Sequence, residues 1–247
     1  MLIAVSPLGV SSASAQDVSP AQRSAFEGVI RDYLLKNPVV IREAMQVLQQ
    51  REKAEKQALA ARALKQYRSE LLHDVSSPVG GNPKGDITIV EFFDYNCGYC
   101  KQVAPAVNAT LKNDPNVRIV YKDFAILGPE SVFAARAALA AKRQGKYREF
   151  HEAMMAAERA DAGAVNALAA QLGLDLEKLL KDMQDPAITR ILERNYQLAS
   201  ALNINGTPAF VIGDRLVPGA VDAAALAEII AKERGKLKAA PAEKPGQ

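Results

Sequence analysis

At 247 residues with 49% hydrophobic content, the chain can bury one sizeable core and has room for a second, smaller element. Its 31 basic and 28 acidic residues leave a net charge of +3 and are interleaved, as in Arg51-Glu52-Lys53-Ala54-Glu55-Lys56. They read as a solvated helix face and give no reason to invoke nucleic acid. Two cysteines and two distant histidines, His73 and His151, exclude a four-ligand zinc site within one subunit.

Leu2 to Val10 is a short apolar stretch, followed by Ser11-Ser12-Ala13-Ser14-Ala15 and the polar Gln16-Asp17. This reads as the h-region and cleavage site of a secretory signal over residues 1–15, with Ala15 the last residue removed. The basic n-region is missing, which leaves a signal clipped by a start codon set too far downstream or a plain disordered tail. The first is favoured, since a transmembrane helix needs about 20 apolar residues. The mature protein is therefore expected to be soluble, exported and periplasmic.

Residues 16–74 carry a helical pattern. Phe26, Val29, Ile30, Tyr33 and Leu34 fall at helical spacing, and Asn37-Pro38 ends one helix and starts the next. The second bears Ile41, Ala44, Met45 and Leu48 on one stripe, a charged middle, and apolar residues again from Leu59 to Leu72. Such a helix suggests an arm whose leading stripe packs against another subunit; the alternative is that the segment folds back on its own domain.

The period changes after the turn-rich Ser76 to Gly85. Ile87 to Phe93 and Val117 to Phe124 read as strands flanking a helix broken near Pro105, with Cys97 and Cys100 at the first strand-to-helix junction. A thiolate in the first turn of a helix is stabilised by unpaired backbone N–H groups and the positive end of the helix dipole, so such a pair suits redox exchange. A static disulfide there would close too short a loop to restrict the unfolded chain much. An exported protein whose only cysteines form one Cys-x-x-Cys is best understood as acting on other proteins' disulfides.

Helices follow at Ser131 to Arg143, Tyr147 to Ala156, Asp161 to Leu172, Leu176 to Gln184 and Pro186 to Leu202. Ala209 to Ile212 and Arg215 to Val217 flank the turn Gly213-Asp214, and Ala223 to Lys236 is a last helix. A βαβ unit, inserted helices and a ββα unit describe an α/β thioredoxin fold over residues 75–236, with the helical insertion at about 129–203. The tail 237–247, rich in Lys, Ala, Pro and Glu, reads as disordered.

Glu91-Phe92-Phe93-Asp94-Tyr95-Asn96-Cys97-Gly98-Tyr99-Cys100, with Gly206-Thr207-Pro208-Ala209-Phe210 downstream, resembles the DsbA-like family of secreted thiol-disulfide oxidoreductases. Val29 to Pro38 resembles the N-terminal extension of a bacterial subgroup that includes the ScsC proteins, which implies a homo-oligomer, dimer or trimer, built through these helices. In this likeness Cys97 forms the mixed disulfide with the client and Cys100 resolves it. Thr207-Pro208 is similar to the family's cis-proline loop facing the sulfurs. Gly98 and Tyr99 tune the couple; the family's strong oxidants often carry His at the position of Tyr99, which implies a milder couple here.

Glu91 matches an acidic position of the family. It reads either as a proton acceptor for Cys100, modulated by a cation such as Lys122 on the next strand, or as half of an ion pair that satisfies a strand end. Phe92, Phe93 and Phe124 read as core, and His73 and His151 as helix-surface residues.

The resemblance implies an enzyme with no cofactor and no metal, cysteine-containing client proteins, and a membrane or soluble redox partner. Thr207, the missing His and the arm favour isomerase or reductase chemistry. A DsbA-like oxidase recycled by a membrane partner is the alternative, and a chaperone with vestigial cysteines the outsider.

Overall fold

The computed structural model describes residues 19–239, so the leader-like segment and residues 240–247 of the tail lie outside the described residues. The chain divides into two compact units, residues 1–56 and 57–247.

In the first unit, α1 (Pro20–Lys36) opens on a capping box. Ser19 Oγ accepts the Gln22 N–H at 3.3 Å, the Gln22 side chain accepts the Ser19 N–H at 3.1 Å, and Pro20 takes the first helical position, where no donor is needed. Asn37 ends the helix: its backbone and side-chain N–H groups both donate to the Tyr33 carbonyl, at 2.8 and 2.9 Å. Helix α2 (Val39–Gln66) follows. No residue of α1 is buried, and Phe26, Val29, Ile30 and Tyr33 are all more than half exposed.

The second unit holds the last turns of α2, then α3 (Arg68–Leu72), β1 (Val79–Gly81), β2 (Ile87–Phe93), α4 (Gly98–Asn113) and β3 (Val117–Asp123). The inserted helices are α5 (Pro129–Arg143), α6 (Tyr147–Ala156), α7 (Ala162–Gln171), α8 (Leu176–Met183) and α9 (Pro186–Ala201). The chain returns through β4 (Ala209–Ile212), β5 (Arg215–Pro218) and α10 (Ala223–Ala239). This is the α/β thioredoxin fold with a helical insertion. Aspartates start three of the inserted helices: Asp161, Asp175 and Asp185 accept the N–H groups of Ala164, Lys178 and Ala187.

The sheet runs β1-β3-β2-β4-β5, with β2 and β3 parallel and the other pairs antiparallel. Both faces of its centre are covered, which is why β2 and β3 read as nearly continuous apolar runs. Ile87, Ile89, Phe93, Val117, Ile119 and Tyr121 share one core with α4, α5, α6 and α10. Val90, Phe92 and Val120 share the other with Leu64, Leu71, Leu198 and Leu202.

Four details depart from the sequence reading. Helix α4 is not broken at Pro105, because its buried positions Cys100, Val103, Val107 and Thr110 keep helical spacing through the proline and packing holds the turn together. Tyr67 separates α2 from α3. The glycine-rich turn contains strand β1, where Gly81 is left-handed and so close to the Val117 carbonyl that no side chain fits. Helix α10 continues to Ala239, three residues into the segment read as tail.

Candidate active site

Strand β2 delivers the chain at Phe93, and Asp94-Tyr95-Asn96 turn it into α4, whose N-cap is Cys97. The turn is built by one buried side chain. Asp94 Oδ1 accepts the Asn96 N–H at 2.8 Å, an Asx-turn, while its Oδ2 accepts the Ile126 and Leu127 N–H groups at 2.9 and 3.0 Å. The Asp94 carbonyl accepts the Cys97 N–H at 3.1 Å. One aspartate thereby fixes the angle at which the first cysteine enters the helix.

Both cysteines are free thiols. Cys97 is 6% exposed and Cys100 fully buried, so only the first sulfur is within reach of an incoming group. Opposite Cys97 stands the Thr207-Pro208 peptide, which is cis, and the Cys97 thiol donates to the Thr207 carbonyl at 3.3 Å. Gly98 is exposed and Tyr99, at 66%, is the most open apolar side chain beside the dithiol. Burial pushes the Cys100 thiol far above its ordinary range, offset only in part by hydrogen bonding from the Asp94 backbone and Thr207. A cavity of about 310 Å³ lined by Asn205, Gly206, Thr207, Pro208, Leu216 and Pro218 opens beside the cis-proline.

Glu91 is buried on the dithiol face of the sheet, and burial alone pushes its carboxyl up to about 8. Lys122 does not stand beside it. The parallel register puts Phe92, not Glu91, opposite Lys122, and the alternation of β3 turns the lysine to the other face. There its ammonium donates to the Glu70 carbonyl at 2.8 Å, to Ser77 Oγ at 2.7 Å and to Asp74 at 3.2 Å. A cavity of about 520 Å³ lies on that side around Tyr67, Glu70, Asp74, Lys122 and Arg194 and includes neither cysteine.

His151 is also corrected: it is buried, not on a helix surface, because α6 turns it inward among Phe93, Tyr121 and Tyr147. It shares a hydrogen bond with the Tyr95 hydroxyl at 3.1 Å, and burial lowers its pKa to about 3, so the ring is neutral. The Tyr147 hydroxyl donates to Asp123 Oδ2 at 3.4 Å; Asp123 Oδ1 has no partner, and burial lifts this acid to about 7. Glu91, Tyr95, Asp123, Tyr147 and His151 thus form a buried polar layer on the dithiol side.

Sequence reasoning missed Asp94, Asn96, Lys101 and this layer. The Asp-x-Asn spacing just before a helix start was a usable signal for the Asx-turn; the layer joins residues of β2, β3 and α6 and left no local pattern. His73 lies exposed at the end of α3, and Phe92, Phe93 and Phe124 are core. Among the described residues, no three His, Cys, Asp or Glu side chains converge as a metal site, and no helix is long and apolar enough to cross a membrane.

Residues 88–231 match the family model described as DSBA-like thioredoxin domain, and residues 22–55 match that of the copper resistance protein ScsC N-terminal domain. A thioredoxin-like oxidoreductase from Silicibacter pomeroyi is 47% identical; the alignment covers 68% of this chain and 98% of that one, with a TM-score of 0.66. Proteus mirabilis ScsC in a transitional conformation is 30% identical over 88% of this chain and 99% of its own, with a TM-score of 0.67. Among curated proteins, an Na(+)/H(+) antiporter NhaA of Salinispora tropica is 28% identical over 62% of this chain, which spans only 24% of the antiporter's length.

Proposed function

The chain belongs to the DSBA-like thioredoxin domain family, and from that premise we propose that it is an exported protein thiol-disulfide oxidoreductase whose dithiol is Cys97-Gly98-Tyr99-Cys100. The observation that carries the reading is the placement of the Cys97 thiol at the N-cap of α4, 3.3 Å from the Thr207 carbonyl, with Cys100 sealed one turn behind it. Cys97 exchanges with a client disulfide. Cys100 then loses its proton, its sulfur bonds to Cys97, and the client sulfur leaves as a thiolate.

Glu91 shares the buried face with Cys100 and can accept that proton only when it is itself ionised, which its burial delays to about pH 8. The open backbone beside Thr207 and the slot of about 310 Å³ suit an extended client segment. Exchange leans to isomerase or reductase chemistry, supported by uncharged Tyr99 in the pair and by the exposed apolar face of α1, which suits a homo-oligomer, dimer or trimer, able to hold a misfolded client between several dithiols. The likeness to a periplasmic thioredoxin-like protein from Salmonella enterica serovar Typhimurium, 30% identical over 68% of this chain, supports a periplasmic location, and repeated exchange calls for a membrane or soluble redox partner to reset the dithiol.

Insulin reduction and refolding of scrambled ribonuclease test this directly. Wild type is expected to be active in both and Cys97→Ser in neither. Activity unchanged by Cys97→Ser would sink the reading, and equilibration with glutathione to a strongly oxidising value would replace the isomerase with the oxidase.

A further inference from the structure

The residues on either side of the cysteine pair grip the same stretch of the helical insertion. Asn96, just before Cys97, exchanges hydrogen bonds with Ala160: its Oδ1 accepts the Ala160 N–H at 2.9 Å, and its amide reaches the Ala160 carbonyl and Ser131 Oγ, both at 3.4 Å. Lys101, just after Cys100, sends its ammonium to the carbonyls of Met154 at 3.2 Å and Ala157 at 2.5 Å, the last turn of α6 and its cap. The carbonyls that end a helix have no partners of their own and carry the negative end of its dipole, so a lysine seated there is held in place.

Lys101 follows Cys100 directly on α4, so that anchorage holds a positive charge one residue from the pair. Lys101 is half-buried, which weakens its hold on its proton, while the charge of Asp94 and that of an ionised Cys100 strengthen it. The exchange needs such a charge at one moment. Cys100 is fully buried, and its S–H bond must break before its sulfur can bond to Cys97; the electron pair of the mixed disulfide then leaves on the client sulfur, so the Cys97–Cys100 pair is oxidised and the client reduced. Tyr99 is uncharged and Lys122 lies on the opposite face of the sheet, so neither supplies the cation.

We propose that Lys101 is a positioning residue for the exchange: anchored on the end of α6, its ammonium steadies the Cys100 thiolate as it forms, while Asn96 fastens the Cys97 side of the loop to the same stretch of the insertion. This role rests on the thiol-disulfide exchange proposed above. It also supplies a charge at a place where the pair's own sequence, Gly98-Tyr99, has none.

The test compares full-length wild type, Lys101→Met, Lys101→Gln, Lys101→Arg and Asn96→Ala by equilibration with glutathione at pH 7 and by the pH profile of mixed-disulfide resolution. Cys100 is a protonated thiol in the resting reduced form at pH 7, so Lys101→Met leaves the glutathione equilibrium near the wild-type value but slows resolution by about fivefold and moves its profile to higher pH. Lys101→Gln keeps a donor for the α6 carbonyls without the charge and shifts the same way, which covers the case in which the methionine variant does not fold. Lys101→Arg restores wild-type behaviour, and Asn96→Ala slows exchange at an unchanged equilibrium. A wild-type rate and pH profile of resolution in Lys101→Gln would overturn the role while leaving the enzyme reading intact; a wild type that does not exchange with glutathione would overturn both.

Discussion

Glu91 and Lys122 stand on adjacent strands and face opposite ways. Strands β2 and β3 are parallel, with Glu91 opposite Tyr121 and Phe92 opposite Lys122, so alternation sends the carboxyl to the dithiol face and the ammonium to the face packed by Leu71 and Leu198. The two therefore act on different properties. Glu91 enters the proposed exchange through its proton, and Lys122 bears on the attachment of α3 and the segment after it.

Glu91 makes stability fall with rising pH. A free glutamate releases its proton near 4.5, whereas burial makes the folded protein hold it to about 8. Between those values the native state binds more protons than the unfolded chain, so the contribution is full below 4.5 and is lost as pH rises through 8. Glu91→Gln keeps the neutral form and removes the slope. Urea unfolding is expected to show a gain of about 4 kcal/mol over wild type at pH 8 and little difference at pH 4.5. The same substitution should erase the rise in exchange rate that wild type shows as Glu91 ionises.

Lys122→Met is expected to cost stability without touching the chemistry. The ammonium is fully buried and holds the Glu70 carbonyl, Ser77 and Asp74 together; removing it leaves those acceptors short of a partner. Burial works against ionised Asp74, but hydrogen bonds from Ser76 and the charge of Lys122 outweigh it and keep the carboxyl well below the usual range. Breaking one side of such a buried pair costs about 3 kcal/mol. Denaturant titration should show that loss, while the exchange rate per folded molecule stays at the wild-type value. A pH profile altered like that of Glu91→Gln would contradict the register argument.

How much of this was legible follows from range. The strand, helix and cysteine pattern around Cys97 is local, and so were the bounds of β2, β4 and α6. The side to which Lys122 turns depends on a register that pairs residues 30 apart in sequence, Glu91 opposite Tyr121 and Phe92 opposite Lys122, and a one-residue slip, which residue types alone do not exclude, would reverse it. His151 looked like a surface residue because a histidine on an otherwise mixed helix carries no sign of its partner; Tyr95, 56 residues earlier, supplies it. Pro105 misled for the opposite reason, since a local rule about helix breaking was overridden by the buried stripe of α4.

Two further titrating groups of the buried layer, Asp123 and His151, have opposite signs. Asp123, lifted by burial from 3.8 to about 7, contributes stability that is lost as pH rises through 7. His151, depressed by burial from 6.5 to about 3, contributes stability present above 6.5 and lost as pH falls toward 3. Asp123→Asn should therefore gain about 4 kcal/mol at pH 8, where the unpartnered Oδ1 would otherwise belong to a buried anion. His151→Phe should unfold less readily than wild type below pH 5 if its ring packs as well. Thermal melts at pH 4.5, 6 and 8 separate the two variants.

The exposed face of α1 makes a prediction about assembly. A 17-residue helix with no buried residue is marginal in water unless its apolar face is covered, and Phe26, Val29, Ile30 and Tyr33 lie on one such stripe. Covering it with the same stripe of other copies satisfies every chain at once, as closed symmetric assemblies do. The double substitution Val29→Asp with Ile30→Asp in the full chain places charges in that contact, so light scattering should fall from an oligomeric mass to that of a single chain. Each dithiol is intact in the variant, so insulin reduction should persist while refolding of scrambled ribonuclease, which gains from several dithiols around one client, should drop. Wild-type protein that already scatters as a single chain would remove the assembly role of α1, and an assembly that survives the two aspartates would move the contact to another face.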